Sequence, residues 1–158
     1  MKVGVLSDTH LRNPDASFKR LMRERFSDVD AVIHAGDIVS VAVLDFLSAW
    51  ELYAVAGNMD GWEITDHLPE KRVITLGGKV IGIVHGGGAP NDLEERVLSS
   101  FTDVSCIVFG HSHNPVNKIK NGVLLFNPGS PMDSRYTKRN SIGYLTIGED
   151  ITGEIVYL

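Results

Sequence analysis

Five short apolar runs in this chain stop at a glycine or a polar residue and lead at once into side chains able to bind metal. Val3–Leu6 runs into Ser7-Asp8-Thr9-His10, and Ala31–Ala35 into Gly36-Asp37. Leu52–Ala56 is followed by Gly57-Asn58-Met59-Asp60-Gly61, Lys79–Val84 by His85, and Val104–Phe109 by Gly110-His111-Ser112-His113. Runs this short, flanked by turn residues, read as buried strands. In extended backbone, residues i and i+2 share a face about 6.6 Å apart. Asp8 with His10, and His111 with His113, are therefore spaced to serve one ion or two neighbouring ions. Each cluster alone has an ordinary explanation, because Asp, Asn and Gly are common in caps and turns. Their recurrence at five strand ends is not explained that way.

The intervening segments supply layers. Ser17 is placed to cap a helix reaching Phe26, with Phe18, Leu21, Met22 and Phe26 on one face. Ser40 to Trp50 repeats the pattern with Val43, Leu44, Phe46 and Leu47, and Asn91 or Asp92 opens a third helix through Phe101. Trp62 to Pro69 keeps no period and reads as a loop with His67 on its surface. Gly77-Gly78 and Asn121-Gly122 are two-residue hairpin signals, joining Arg72–Leu76 to Lys79–Val84 and Val116–Lys120 to Val123–Phe126. Ser141–Ile147 and Thr152–Tyr157 close the chain as strands. His34 precedes its glycine inside a strand and reads as a packed histidine outside the site. Gly86-Gly87-Gly88 lacks the following Lys and Ser or Thr of a phosphate-binding loop, so it reads as room for a close backbone approach. Alternation of strand and helix early, then mainly strand, implies an α/β fold: two packed mixed β-sheets flanked by helices, with ligands at one end.

At 158 residues and 43% hydrophobic, the chain fits one domain over residues 1–158. A net charge of −5 with no basic block argues against nonspecific nucleic-acid binding, and no stable nucleic-acid complex is expected. The lone Cys106 offers no disulfide and suits a reducing compartment. No signal sequence or membrane span is evident, so the expected location is cytoplasmic. The candidate donors are imidazoles, carboxylates and an amide with no thiolate, a set suited to manganese, iron, zinc, nickel or cobalt. Asp8, His10, Asp37, Asn58, His85, His111 and His113 are too many for one tetrahedral ion. They suit two ions sharing a carboxylate. Two divalent ions against Asp8 and Asp37 would leave the site roughly two units positive, enough to draw phosphate to an acidic protein.

The ordered set Asp8-Thr9-His10, Gly36-Asp37, Gly57-Asn58-Met59-Asp60, His85-Gly86 and Gly110-His111-Ser112-His113 resembles the calcineurin-like metallophosphoesterases, in particular their compact bacterial and archaeal phosphodiesterases. The resemblance spans nearly the whole chain and implies a four-layer αββα sandwich. It implies that Asp8, His10, Asp37 and His113 hold one metal and Asp37, Asn58, His85 and His111 the other, with Asp37 as the bridge. It also implies hydrolysis of small phosphodiesters by in-line attack of a metal-bridging hydroxide, with Asp37, Asn58, His85 and His111 in catalytic roles. Manganese is the first expectation for both ions. Many superfamily members carry histidine where Met59 stands, and a thioether cannot donate a proton. That departure points to diesters with good leaving groups. Arg135 is a substrate contact if its loop folds towards the metals.

Two other readings belong to the same resemblance. One is a non-catalytic interaction scaffold like the retromer subunit of this fold, whose ligand set is incomplete; here every ligand position is filled. The other is a nuclease acting on polymers, which the small size and acidic balance disfavour. A small phosphodiester is the expected partner, no membrane association is expected, and a homo-oligomer is left open.

Overall fold

The first three parallel strands carry the apolar runs that begin the chain. The computed structural model describes residues 1–158, Pro90 by its backbone alone. β1 (Lys2–Leu6), α1 (Ala16–Arg25), β2 (Ala31–His34), α2 (Val41–Leu47) and β3 (Leu52–Ala54) alternate, and β1 pairs in parallel with β2, as β2 does with β3. Two late strands, β9 (Ser141–Ile147) and β10 (Ile151–Tyr157), extend this sheet antiparallel beyond β1 in the order β10-β9-β1-β2-β3. The second sheet is built from β4 (Lys71–Leu76), β5 (Lys79–Val84), β6 (Cys106–Val108), β7 (Val116–Lys120) and β8 (Val123–Asn127), in the order β4-β5-β6-β8-β7. Its three inner strands are parallel and its two edges antiparallel.

Composition follows position. β1, β2 and β6 are buried along nearly their whole length, since both faces are covered. Edge strand β7 (VNKIK) exposes its middle, and β10 alternates exposed with half-buried residues. Val3, Val5 and Ile33 of one sheet meet Ile81, Val108 and Phe126 of the other in a shared core. Phe18, Met22, Val43 and Leu47 pack α1 and α2 on the outer face of the first sheet. A short 3-10 turn (Pro90–Asp92) leads into α4 (Leu93–Ser99), whose Leu93 and Val97 cover Ile107, Phe109 and Leu125 of the second. The result is helix, sheet, sheet, helix. Each buried aliphatic or aromatic side chain contributes about 1.5–3 kcal/mol. Among the described residues, no helix is long and apolar enough to cross a membrane.

Two local expectations are corrected. The cap of α1 is Asp15, whose carboxylate accepts from Phe18 N at 2.8 Å, and Ser17 lies inside the helix. Both residue types cap well, so sequence alone did not choose between them. The stretch from Trp62 is not all loop: α3 (Trp62–Thr65) forms one turn, anchored by buried Ile64. A single turn is too short to show a period. The hairpins stand as expected, with Gly77, Gly78, Asn121 and Gly122 all at positive φ. His34 is fully buried, and its Nε2 lies 3.3 Å from Thr9 Oγ1.

Candidate metal centre

β1, β2 and β3 run in parallel, so their C-terminal ends share one edge; in the other sheet the same holds for β5, β6 and β8. Ligands of open parallel sheets collect at those ends, and all seven candidate side chains follow them. Extended backbone does not present five of them. Asp8, His10, Asp37, His111 and His113 take φ values of 54°, 49°, 58°, 70° and 56°, in the left-handed region. The expectation of an extended Asp-x-His and His-x-His is therefore corrected: Asp8, His10, His111 and His113 all sit in left-handed backbone. Left-handed residues other than glycine are costly and cluster where the surroundings dictate them. Gly110 permits a close approach. A Cβ there would lie 1.9 Å from Ser7 Oγ and 2.7 Å from Asp8 Oδ2.

Hydrogen bonds orient both carboxylates. Asp8 Oδ2 accepts from Ser7 Oγ at 2.6 Å and from His111 N at 3.1 Å, which turns Oδ1 towards the histidines. Asp37 Oδ1 accepts from Met59 N at 2.8 Å, leaving Oδ2 to face His10 Nε2 at 3.5 Å and His85 Nε2 at 3.3 Å. Asp37 Oδ2 thus lies between two imidazoles from different strands. Asp60 secures this turn by accepting from Gly57 N (2.7 Å), Val39 N (2.6 Å) and Asp37 N (3.0 Å). Burial pushes the Asp60 carboxyl up despite those donors.

The tautomers make the convergence a demand for positive charge. His85 Nδ1 lies 2.7 Å from Ala35 O and His111 Nε2 3.0 Å from Gly88 O, so each of these nitrogens carries the proton it donates. In the neutral rings, His85 Nε2 and His111 Nδ1 are bare lone pairs, yet they face Asn58 Oδ1 at 3.1 and 2.9 Å. At the other end, His10 Nε2 and His113 Nε2 approach to 3.3 Å, and Asp8 Oδ1 is 3.3 Å from His113 Nε2. Asp8 Oδ1 is buried and has no hydrogen-bond partner. An unpaired buried carboxylate oxygen is expensive. The unpaired Asp8 Oδ1 and the imidazole nitrogens and amide oxygen gathered around it form a donor set whose chemistry suits divalent ions. Two triads fall within ligating reach, Asp8–His10–His113 and Asp8–Asp37–His85. Protons answer the same need: burial opposes charge on His85, but its bond to Asp37 raises its pKa overall. The Asp37 carboxyl is held below its usual range by that bond, against the opposing effect of burial.

Sequence reasoning did not single out Asp133. This buried carboxylate lies 3.8 Å from His113 Nδ1 and 4.0 Å from His10 Nε2. Arg135 clamps it through Nε at 2.9 Å and Nη2 at 2.7 Å and holds its pKa at about 2. The only signal was a lone Asp in an aperiodic loop. That loop does fold towards the site, because Ser141 N closes it on Ser130 O at 3.0 Å and Ser130 Oγ donates to Asp8 O at 2.8 Å. Arg135 and Tyr136 then join His10, Asp37, Asn58, Met59, His111 and His113 around a cavity of about 300 Å³.

Comparison with known proteins agrees with this architecture. Residues 1–150 match the calcineurin-like phosphoesterase superfamily domain. A probable metallophosphoesterase of Methanocaldococcus jannaschii is 32% identical over 160 residues, covering 99% of this chain and 81% of that protein. A solved archaeal phosphodiesterase superposes with a TM-score of 0.76 at 25% identity, covering 100% of each chain. Vps29 of Entamoeba histolytica, solved as a single mutant, shares the fold with a TM-score of 0.75 at 23% identity, over 100% of this chain and 99% of that one.

Proposed function

The chain belongs to the calcineurin-like phosphoesterase superfamily, and from that premise we propose that it is a metal-dependent phosphodiesterase acting on small phosphodiesters. The observation that carries the reading is Asp8 Oδ1, buried and unpaired 3.3 Å from Nε2 of His113, which lines the cavity of about 300 Å³. Asp8, His10, Asp37 and His113 would hold one divalent ion, and Asp37, Asn58, His85 and His111 a second, with Asp37 contributing to both. Manganese is the first assignment, and nickel, zinc, iron and cobalt suit the same donors. When bound, such ions stabilise charge on phosphoryl oxygens, lower the pKa of water and align an in-line displacement. Superfamily membership implies divalent metal; the number and identity of the ions are part of the proposal.

The chain's own groups set the rest. Ala35 O and Gly88 O fix the tautomers that aim His85 Nε2 and His111 Nδ1 inward. Asn58 adds a neutral oxygen that leaves the net positive charge of a loaded site undiminished. Met59 orients Asp37 through its backbone N–H, while its exposed thioether stands at the cavity with no proton to give. Solvent must then protonate the leaving oxygen, which favours diesters whose leaving groups depart as stable anions. Arg135, pinned at Asp133, keeps further N–H donors for a phosphoryl oxygen. Residues 1–158 act in this reading as one domain in the cytoplasm, where a buried Cys106 with its thiol pushed up to about 12 takes no part in redox chemistry. The non-catalytic alternative has a shared fold behind it, but every position of the donor set is filled here.

The test is hydrolysis of 4-nitrophenyl mono- and diesters after chelation and restoration of manganese, nickel, zinc or iron, with Asp37→Ala alongside. Metal-restored turnover, faster on the diester and lost in Asp37→Ala, is expected. No metal-dependent turnover on either ester, or full turnover in Asp37→Ala, would overturn the reading.

A further inference from the structure

Beside the cavity of the metal centre lies a second cleft of about 490 Å³, and Tyr136 lines both. Lys138, Arg139, Tyr157, Asn114 and Pro115 are among its other walls. Lys138 and Arg139 are exposed, and among the described residues neither has a carboxylate within salt-bridge distance. Arg135, by contrast, is already neutralised by Asp133. In a chain of net charge −5, two uncompensated cations in one cleft form a local positive site. They stand beside flat surfaces: Tyr136 is 66% and Tyr157 48% exposed, and the Arg139 guanidinium lies 4.6 Å from the Tyr157 ring centroid. Tyr136 is held edge-on against His113 with centroids 5.2 Å apart, which ties the cleft to the metal-site histidines.

Loop geometry fixes the arrangement. Ser141 N and Asn140 Nδ2 both bond Ser130 O, at 3.0 and 3.1 Å, closing the loop at its base. Thr137 Oγ1 donates to Arg139 O at 2.9 Å, and Leu158 N to Asn140 O at 2.9 Å, docking the loop against the end of β10. Cations interleaved with exposed aromatic rings suit a phosphate joined to a base, since the cations take the anion and the rings stack the base.

Resting on the phosphodiesterase reading, we infer that this cleft is a nucleotide subsite, and that the substrate is a short linear oligonucleotide with one further phosphate-bearing nucleotide beyond the scissile diester. A cyclic mononucleotide, confined to the first cavity, would leave the second unused. The net charge of −5 disfavours a longer polyanion.

Binding and turnover test the inference separately. Adenosine 3′,5′-bisphosphate and inorganic phosphate are titrated into manganese-loaded wild type, Lys138→Ala/Arg139→Ala and, as a control for lost charge, Lys118→Ala/Lys120→Ala on β7. The cleft variant is expected to weaken bisphosphate binding about ten-fold relative to phosphate, the size of losing one charge-assisted phosphate contact, whereas the control keeps the wild-type ratio. The ratio of kcat/KM for a 5′-phosphorylated dinucleotide to that for methyl 4-nitrophenyl phosphate should fall similarly in the cleft variant. Unchanged bisphosphate affinity in that variant, or equal weakening of both ligands, would overturn the subsite. If the wild type hydrolyses none of these esters, the phosphodiesterase reading fails, and the titrations still decide the cleft.

Discussion

A methyl group added at residue 57 would lie 2.2 Å from Asp37 Oδ1 and 2.4 Å from Asp37 N, inside the turn that aims this carboxylate. Gly61, four residues on, has nothing within 4 Å of the same added atom. Gly57→Ala should therefore displace Asp37 and lower metal-dependent kcat/KM by about a hundred-fold, as small misplacements at a reacting centre do. Gly61→Ala should stay near wild type; equal activities in the two variants would contradict the packing described. His34 gives a second residue-scale expectation, this time for stability. It is fully buried with Nδ1 unpaired, and burial lowers its pKa to about 3. The unfolded chain then binds a proton near pH 6.5 that the folded protein refuses until about pH 3. Stability must fall as pH drops through that window, by about 1.4 kcal/mol per unit once well below 6.5. Unfolding free energies from urea melts of chelated protein should fall about 2 kcal/mol less between pH 7 and pH 5 in His34→Leu than in wild type. The same drop in both would show that His34 takes up its proton in the folded state.

Phe126 joins the two sheets. It is fully buried in β8, and Cβ atoms added at Gly143 of β9 or Gly153 of β10 would each come within 2.5 Å of its ring. Two glycines of one sheet thus make room for one aromatic side chain of the other. Phe126→Ala should cost about 3–5 kcal/mol, read as a lower denaturant midpoint with an unchanged slope, and Phe126→Leu clearly less. A loss under about 1 kcal/mol in Phe126→Ala would mean the sheets close over the space. The elements legible in the sequence were those with this kind of burial. β1, β2 and β6 are covered on both faces, and runs such as Val3–Leu6 say so directly. Gly77-Gly78 and Asn121-Gly122 announced their hairpins because positive φ selects such residues. One-turn α3 left no period to read, and the cap of α1 depended on two equally suitable residues. At the site, Asp8, His10, Asp37, Asn58, His85, His111 and His113 were legible through repetition at strand ends. Their left-handed backbone was not, because Asp and His in sequence do not reveal φ. Asp133 stayed hidden in a loop whose path is fixed by Ser130 and Ser141, far from any pattern of its own.

Across the whole molecule, folding holds these candidate ligands at a cost. Asp8 Oδ1 is buried and unpaired, His113 Nδ1 likewise has no hydrogen-bond partner, and five of the seven candidate ligands hold positive φ. Stability and site quality should therefore trade against each other. Asp8→Asn separates them. Its amide oxygen can keep the bonds from Ser7 Oγ and His111 N that Asp8 Oδ2 accepts, while its NH2 replaces the unpaired oxygen and faces His113 Nε2, now a partner. In chelator, Asp8→Asn should be more stable than wild type by about 1–3 kcal/mol, the cost of one unsatisfied buried group. Manganese should reverse the order. A ligand at a hundred times its Kd adds about 2.7 kcal/mol to a protein that binds it only when folded, and the wild type should gain this while the variant gains little. Denaturant midpoints of both proteins, with chelator and with manganese, check the four values together. A variant less stable than wild type in chelator would mean that Asp8 Oδ1 is satisfied in the metal-free fold. Equal gains from manganese would remove Asp8 from the ligand set, and with it the basis for reading this edge of the sandwich as a metal centre.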